Sequence, residues 1–145
     1  MVFLIGNALL LANLASTLFL TGLVWELQVV QFPLMLRAGG LDFPDYVKHQ
    51  RTRNTLLIAP AMLIELITGG LLLADPHLPH RDVFHAALLI VVIWIVTFAS
   101  IIPIHSKLVR GYDQSTVRTL IRRNWIRTAC WTLRSAILLW VVRFC

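Results

Sequence analysis

The chain has 145 residues, of which 58% are hydrophobic and only 14% are charged, and its formal net charge is +6. This length allows one domain, and a soluble domain of this size exposes too much surface to hide so much apolar material. The basic residues flank apolar segments and accompany no nucleic-acid-recognition module. The charge therefore indicates contact with anionic lipid headgroups and excludes nucleic acid as a partner.

Four segments are long and apolar, and each meets or approaches the roughly 20 residues that cross about 30 Å of hydrocarbon. They predict an all-α, transmembrane four-helix bundle in one domain, with helices at about residues 4–30, 55–74, 84–105 and 124–143. The first segment lacks a basic leader and exceeds the apolar run of a signal peptide. These features favour a retained helix over a cleaved one.

The helix ends are predicted from proline and from capping residues. The first helix is expected to end near Pro33. Asp42 is expected to cap the second helix, which begins well before its membrane-spanning part. After the third helix, the chain is expected to fold back and to restart a helix at Asp113 or Ser115.

The basic residues predict the orientation of the bundle. Only Arg81 and Arg143 flank the helices on one side, whereas ten Lys and Arg lie on the other. These ten are Arg37, Lys48, Arg51, Arg53, Lys107, Arg110, Arg118, Arg122, Arg123 and Arg127. Because cytoplasmic loops carry the excess of Lys and Arg, both termini are predicted to be extracytoplasmic. The protein is thus expected to be a multi-pass protein of the cell inner (plasma) membrane.

Helix four carries polar side chains at a helical spacing that places them on one face. They are Asn124, Arg127, Thr128, Trp131, Arg134 and Ser135. An arginine in mid-membrane costs about 2.5–3.5 kcal/mol on insertion scales, so this face must point into the bundle and Arg134 needs a partner. Glu65 lies at the matching depth of helix two, which predicts an ion pair between them. Arg127 is placed near the inner interface, where its side chain can reach water.

Helices one and three add further polar or aromatic stripes. Thr17, Thr21, Val24, Gln28 and Gln31 align on helix one, and Trp94, Phe98, Ile101 and His105 align on helix three. Together the stripes predict a polar pocket in the inner half of the bundle that opens toward the cytoplasmic side. For Gln28, Gln31, Thr97 and Thr128, hydrogen bonding between helices is the favoured interpretation. For Glu65 and Arg134, a purely structural ion pair is the alternative to a functional site.

The polar residues suggest a site for a small lipophilic molecule. The predicted catalytic residues are Glu65 and His105, which would act as acid or base. The predicted substrate-binding residues are Gln28, Asn124, Arg127, Trp131 and Arg134. The guanidinium groups of Arg127 and Arg134 would hold an anionic oxygen.

Metal or haem ligation by His49, His105 and a carboxylate is the other chemistry that these residue types permit. No spacing in the sequence is diagnostic of a metal site, so no metal ligand is predicted and no cofactor is identified. The two cysteines, Cys130 and Cys145, form neither a CxxC motif nor a disulfide framework.

The segments "QFP", "YVKHQRTR", "APAMLIE", "IPIHSKLVRGYD" and "NWIRTACWTLRS" carry a resemblance. Across nearly the whole chain they resemble bacterial four-helix integral membrane proteins of unassigned function, which implies no activity. In size, helix count and polar inner half, the chain is also similar to the anthrone-oxygenase-like membrane family. That similarity implies oxidation of a lipophilic aromatic or quinone-like substrate, and no catalytic residue is carried over from it.

Two functions follow from the sequence. The first is a small membrane enzyme, an oxidoreductase or isomerase, whose lipophilic quinone- or aromatic-like substrate arrives from the bilayer. The alternative is a non-enzymatic accessory subunit of a larger membrane complex. A transporter is a third option, for which four helices would need to form a homo-oligomer. The expected partners are the lipid bilayer and a lipophilic small molecule, with a homo-oligomer or a larger complex as further options.

Overall fold

The structure is a computed structural model that describes the backbone of residues 2–40 and 42–143 and the side chains of residues 6–40 and 42–143. Within these ranges the chain forms four long helices and no strand, which confirms the predicted all-α bundle. Cys145 lies outside the described residues. The helix bounds are Val2–Glu26, Leu27–Gln31 and Phe32–Met35 for α1, Phe43–Leu72 for α2, His80–Val96, Thr97–Ile101 and Ile102–Leu108 for α3, and Gln114–Val142 for α4.

Helices α1 and α3 each contain one π-helical turn just before a proline. Helix α1 runs beyond the approximate bound of residue 30 and ends at Met35, close to Pro33 as expected. It passes Pro33 because the preceding turn Leu27–Gln31 is π-helical. A proline has no N–H, and its ring clashes with the carbonyl four residues earlier, so a wider turn relieves the clash. The turn Thr97–Ile101 precedes Pro103 of α3 in the same way.

The two predicted capping aspartates behave differently. Asp113 has an extended backbone (φ −141°, ψ 114°), and its carboxylate accepts from the backbone N–H groups of Ser115 and Thr116. Asp42 also stands at an N-cap position, but its backbone lies at φ −87°, ψ 0° and its side chain makes no capping bond. An N-cap needs a β-region backbone to turn its side chain toward the first amides. The prediction was therefore right for Asp113 and wrong for Asp42.

Helix α1 packs against α2 and α4, and α4 also packs against α3; of the neighbouring helix pairs, α2 and α3 make the weakest contact. Three apolar clusters fill the bundle, one near each end and one in the middle. Met35, Phe43 and Leu108 belong to the cluster at the end where α2 begins. Buried polar side chains lie among these clusters, and the weak contact between α2 and α3 leaves room beside them for a cavity.

Three stretches of the described chain are long and apolar enough to cross a membrane: Gly6–Met35, Phe43–Leu72 and His80–Leu108. Their outward faces carry exposed large apolar side chains such as Leu11, Ile67 and Val91. Such inside-out exposure is typical of lipid-facing surfaces. The three stretches therefore fit a multi-pass integral membrane protein.

Helix α4 differs from the other three because it carries five arginines: Arg118, Arg122, Arg123, Arg127 and Arg134. Arg127 and Arg134 are buried, while Ile126, Leu133 and Leu139 are exposed on the opposite face. The polar stripe of α4 thus points into the bundle, as its spacing predicts.

Candidate functional site

The buried polar residues fall into two sets, a closed hydrogen-bonded network and the wall of a cavity. The first set, called the Glu65 network below, consists of Asn13, Thr17, Glu65, Thr68, Trp131 and Arg134. Its centre is an ion pair in which Arg134 Nε donates to Glu65 Oε1 at 2.9 Å, with the side chains 1% and 0% exposed. The pair predicted from matching helix depths is confirmed.

The Glu65 carboxylate receives hydrogen bonds from two further side chains, one on α1 and one on α4. Thr17 of α1 donates from Oγ1 to Oε1 at 2.8 Å. Trp131 of α4 donates from its indole Nε1 to both oxygens, at 3.3 Å and 3.2 Å. Both carboxylate oxygens are therefore occupied by donors from the protein itself, as a stable buried ion pair requires.

Asn13 completes the network, although the polar stripe recognised on helix one begins only at Thr17. Asn13 Oδ1 accepts from Arg134 Nη2 at 2.6 Å. Its Nδ2 donates to the backbone carbonyl of Glu65 at 2.9 Å and to Thr68 Oγ1 at 2.7 Å. The available signal was the position of Asn13 four residues before Thr17, on the same helical face.

The second set of polar residues lines a cavity of about 360 Å³ where α2 and α3 separate, and Arg127 of α4 forms part of its wall. Most of the wall is apolar, with Leu27, Ile58, Met62 and Ile101 among the lining side chains. Its polar residues are Arg51, Asn54, Thr55, Thr97, His105 and Arg127. Aromatic rings add flat surfaces: Trp94 stacks on Phe98 at 5.5 Å between ring centroids.

Polar atoms without a partner are concentrated at this cavity. Among the described side chains, the buried atoms that lack a hydrogen bond are Gln50 Oε1, Trp94 Nε1, His105 Nδ1 and Arg127 Nε. All but the first belong to residues that line the cavity. A buried polar atom left without a hydrogen bond costs about 1–3 kcal/mol. Hydrogen-bond acceptors on a bound molecule would relieve that cost.

Arg127 is fixed in place by its neighbours on α1 and α4. Gln28 Nε2 donates to the carbonyl of Ile121 at 3.2 Å, and Asn124 Nδ2 donates to Gln28 Oε1 at 2.9 Å. Asn124 Oδ1 then accepts from Arg127 Nη1 at 3.2 Å. The guanidinium carbon also lies 4.9 Å from the centroid of the Trp131 ring, a cation–π contact.

The expectation that Arg127 reaches water at the inner interface is wrong. Its side chain is only 3% exposed. Arg127 lies about 20 Å along α4 from the start at Gln114, given a rise of about 1.5 Å per residue. At this depth the side chain packs under Trp131 rather than extending to the surface.

The exposed part of the lining lies along the seam between α2 and α3. Leu63 and Phe98 line the cavity and are still 51% and 59% exposed. Both are apolar and lie well inside their helices, on faces that fit contact with lipid. The lining is therefore exposed along this seam, and the predicted opening toward the cytoplasmic side stays a prediction.

The structure brings together only part of the predicted site. His105 and Arg127 line the cavity. The other five predicted residues do not: Gln28, Glu65, Asn124, Trp131 and Arg134. Gln28 and Asn124 reach the cavity through Arg127, and Trp131 lies between Arg127 and Glu65. The catalytic role predicted for Glu65 stays a prediction.

No group of three or more His, Cys, Asp or Glu suited to a metal ion occurs in the part of the chain that the structure describes. No protein family, curated protein or solved structure matches the chain.

Proposed function

We propose that this membrane protein binds a lipophilic, quinone- or aromatic-like small molecule in the cavity between α2 and α3, and that it acts on this molecule as a small enzyme. The observation that carries the proposal is the set of unpartnered polar atoms of Trp94, His105 and Arg127 on one otherwise apolar cavity. Binding sites for small molecules are typically apolar cavities with a few convergent polar groups.

The size of the cavity suits a ring-containing head. At about 30 Å³ for each water, about 360 Å³ holds on the order of a dozen water-sized groups. That volume is close to a one- or two-ring aromatic head, and the stacked Trp94 and Phe98 offer flat walls for it. A longer apolar tail would leave through the seam past Leu63.

His105 is the residue that supports chemistry beyond binding. Its Nδ1 is buried without a partner, and its ring lies 5.9 Å from that of Phe32 on the cavity wall. A neutral imidazole has one nitrogen that donates and one that accepts, so His105 suits proton transfer to or from a bound hydroxyl or carbonyl. Arg127 would stabilise the oxygen on which negative charge develops.

Filling the cavity tests the binding proposal. Ala59 lines the cavity, and Ala136 is exposed on α4 away from it. Binding of 1,4-naphthoquinone should quench the tryptophan fluorescence of the wild type in lipid nanodiscs. Ala59→Phe should weaken this binding at least about tenfold, whereas Ala136→Phe should leave it unchanged. Equal binding by both variants would place the ligand elsewhere and contradict the proposal.

A second comparison tests the enzymatic part. His105→Asn should abolish oxidation of a naphthol by dissolved dioxygen, or reduction of a naphthoquinone by a supplied hydride donor, with little effect on binding; absorbance follows either reaction. His85→Asn is the matched control, since His85 is exposed near the other end of α3. If the wild type binds the molecule but does not convert it, the proposed enzymatic activity would be contradicted and the role of accessory subunit would be favoured.

A further inference from the structure

We infer that the molecule held in the cavity is an anion, whose negatively charged oxygen pairs with Arg127. This inference rests on the proposed function and specifies it, because it names the charge of the ligand. The ligand would be an aromatic lipophile that carries one oxyanion, either an enolate or phenolate on the ring or a carboxylate attached to it.

The buried charges of the described side chains do not balance without such a ligand. Glu65, Arg127 and Arg134 are the fully charged residue types among the buried side chains, which gives one negative and two positive charges. Glu65 and Arg134 neutralise each other at 2.9 Å. Arginine stays protonated in proteins, so the charge of Arg127 remains without a counter-ion. An isolated charge is expensive to bury, and a bound anion would offset that cost.

The cavity itself is electropositive. Its described lining contains Arg51 and Arg127 and no carboxylate. Arg51 Nη1 donates to Ser106 Oγ at 3.3 Å, a neutral partner that leaves its charge uncompensated. The surroundings of Arg127 are also neutral: the amide oxygen of Asn124 and the ring face of Trp131. An anion would thus be favoured over a neutral molecule of the same shape.

Arg127 is positioned to receive this anion. The hydrogen-bond chain from Gln28 through Asn124 occupies Nη1 and leaves Nε without a protein partner. The same chain fixes the plane of the guanidinium before a ligand arrives. Fixed donors lose less freedom on binding, which strengthens a charge-assisted hydrogen bond. Gln28 and Asn124 are thus positioning residues that act through Arg127.

The test compares three probes of similar shape on the full-length wild type in nanodiscs. Ionised 2-hydroxy-1,4-naphthoquinone carries an enolate, 2-naphthoate carries a carboxylate, and 2-methoxy-1,4-naphthoquinone is neutral. At least one anion should bind about tenfold or more tightly than the neutral probe. The anionic probe that binds more tightly identifies whether the oxyanion of the ligand is an enolate on the ring or a carboxylate attached to it.

Substitution of Arg127 then assigns the preference to its residue. Arg127→Gln should remove the preference for the anion and leave the affinity for the neutral probe unchanged, and Arg127→Lys should retain part of it. Arg118→Gln is the control, since Arg118 is exposed near the start of α4. The preference should survive this change.

The outcomes separate this inference from the proposed function. Equal binding of the anions and the neutral probe by the wild type would overturn the inference and leave the binding proposal standing. This comparison needs no variant, so it decides even if Arg127→Gln does not fold. A preference that persists in a folded Arg127→Gln variant would also overturn the inference. If none of the three probes binds, the proposed function itself would be contradicted.

Discussion

Arg134 of α4 holds Glu65 of α2 in a buried ion pair and at the same time bonds to the other two helices. Its Nε donates to Glu65 Oε1 at 2.9 Å, its Nη1 to the carbonyl of Ala86 in α3 at 2.5 Å, and its Nη2 to Asn13 Oδ1 in α1 at 2.6 Å. A single guanidinium thus connects all four helices. Its planar fork of donors makes this possible, whereas a lysine has one nitrogen.

The pair should behave as a coupled unit in unfolding. Removal of one partner leaves the other charge buried without compensation, which costs about 3–5 kcal/mol. Glu65→Gln and Arg134→Gln should therefore each lower the free energy of unfolding in detergent, and the double variant should lose less than the sum of the two. Glu26→Gln, at an exposed position, should change stability by less than about 0.5 kcal/mol. Additive losses would show that the two charges do not interact.

Asn13 should contribute to stability through Arg134. Asn13→Leu removes the acceptor of Arg134 Nη2 and the donor to Thr68. Groups left without a partner in this way cost about 1–3 kcal/mol each. Asn7 is the control on the same helix, since its side chain is only partly buried and takes no part in the Glu65 network. A loss for Asn7→Leu as large as that for Asn13→Leu, measured by thermal unfolding in detergent, would contradict the assignment.

The sequence was enough to predict the inward face of α4. Polar residues spaced by three and four in an apolar segment can only lie together on one side, and Asn124, Arg127 and Arg134 are indeed buried. The Glu65–Arg134 pair followed from equal depth in two helices, because a buried charge needs an opposite one.

The division of the polar interior into two sets could not be predicted in this way. Whether Glu65 faces the cavity depends on the rotation of α2, and whether Arg127 reaches water depends on its packing under Trp131. Both are set by tertiary contacts that the helical period does not contain. Backbone geometry at the caps is equally hidden, since Asp42 and Asp113 are the same residue type with different φ and ψ.

The predicted orientation can be tested with cysteines. Without the buried Arg127, nine of the ten basic residues counted on the inner side remain against two, so both termini are still expected outside. In a background with Cys130 and Cys145 replaced by Ser, His77→Cys should react with a membrane-impermeant maleimide on intact cells. Gln114→Cys should react only after lysis. The reverse labelling pattern would show that both termini face the cytoplasm.

The cap of α4 should depend on pH. Hydrogen bonds from the hydroxyls of Thr116 and Ser115 lower the pKa of Asp113 from its ordinary value of 3.8 to about 2. A lowered pKa means that the ionised cap stabilises the folded helix above about pH 4 and that this contribution is lost as the pH falls toward 2. Hydrogen-exchange protection of the Ser115 and Thr116 amides should follow this course.

The two N-cap aspartates provide a matched comparison at neutral pH. Asp113→Ala should lower the exchange protection of the first turn of α4, because its carboxylate accepts from two backbone N–H groups there. Asp42→Ala should leave the first turn of α2 unchanged, since the Asp42 side chain makes no capping bond. Equal effects of the two substitutions would mean that the caps do not differ.

Gly69 and Gly70 are neighbours on α2 whose replacement by alanine should have opposite effects. Alanine is favoured over glycine inside a helix by about 0.5–1 kcal/mol, so Gly70→Ala, which meets nothing within 4 Å, should raise the free energy of unfolding by about this amount. At Gly69 the added carbon would lie 2.8 Å from Ile90 Cδ1 and 3.4 Å from Asn13 Nδ2.

Ile90 is only 2% exposed, so it has little room to move away, and the crowded Asn13 amide belongs to the Glu65 network. Gly69→Ala should therefore lose the helical gain and destabilise the protein by about 1 kcal/mol or more. Thermal unfolding of both variants in the same detergent measures the difference. If Gly69→Ala were as stabilising as Gly70→Ala, the close packing of α2 against Ile90 and Asn13 would be wrong.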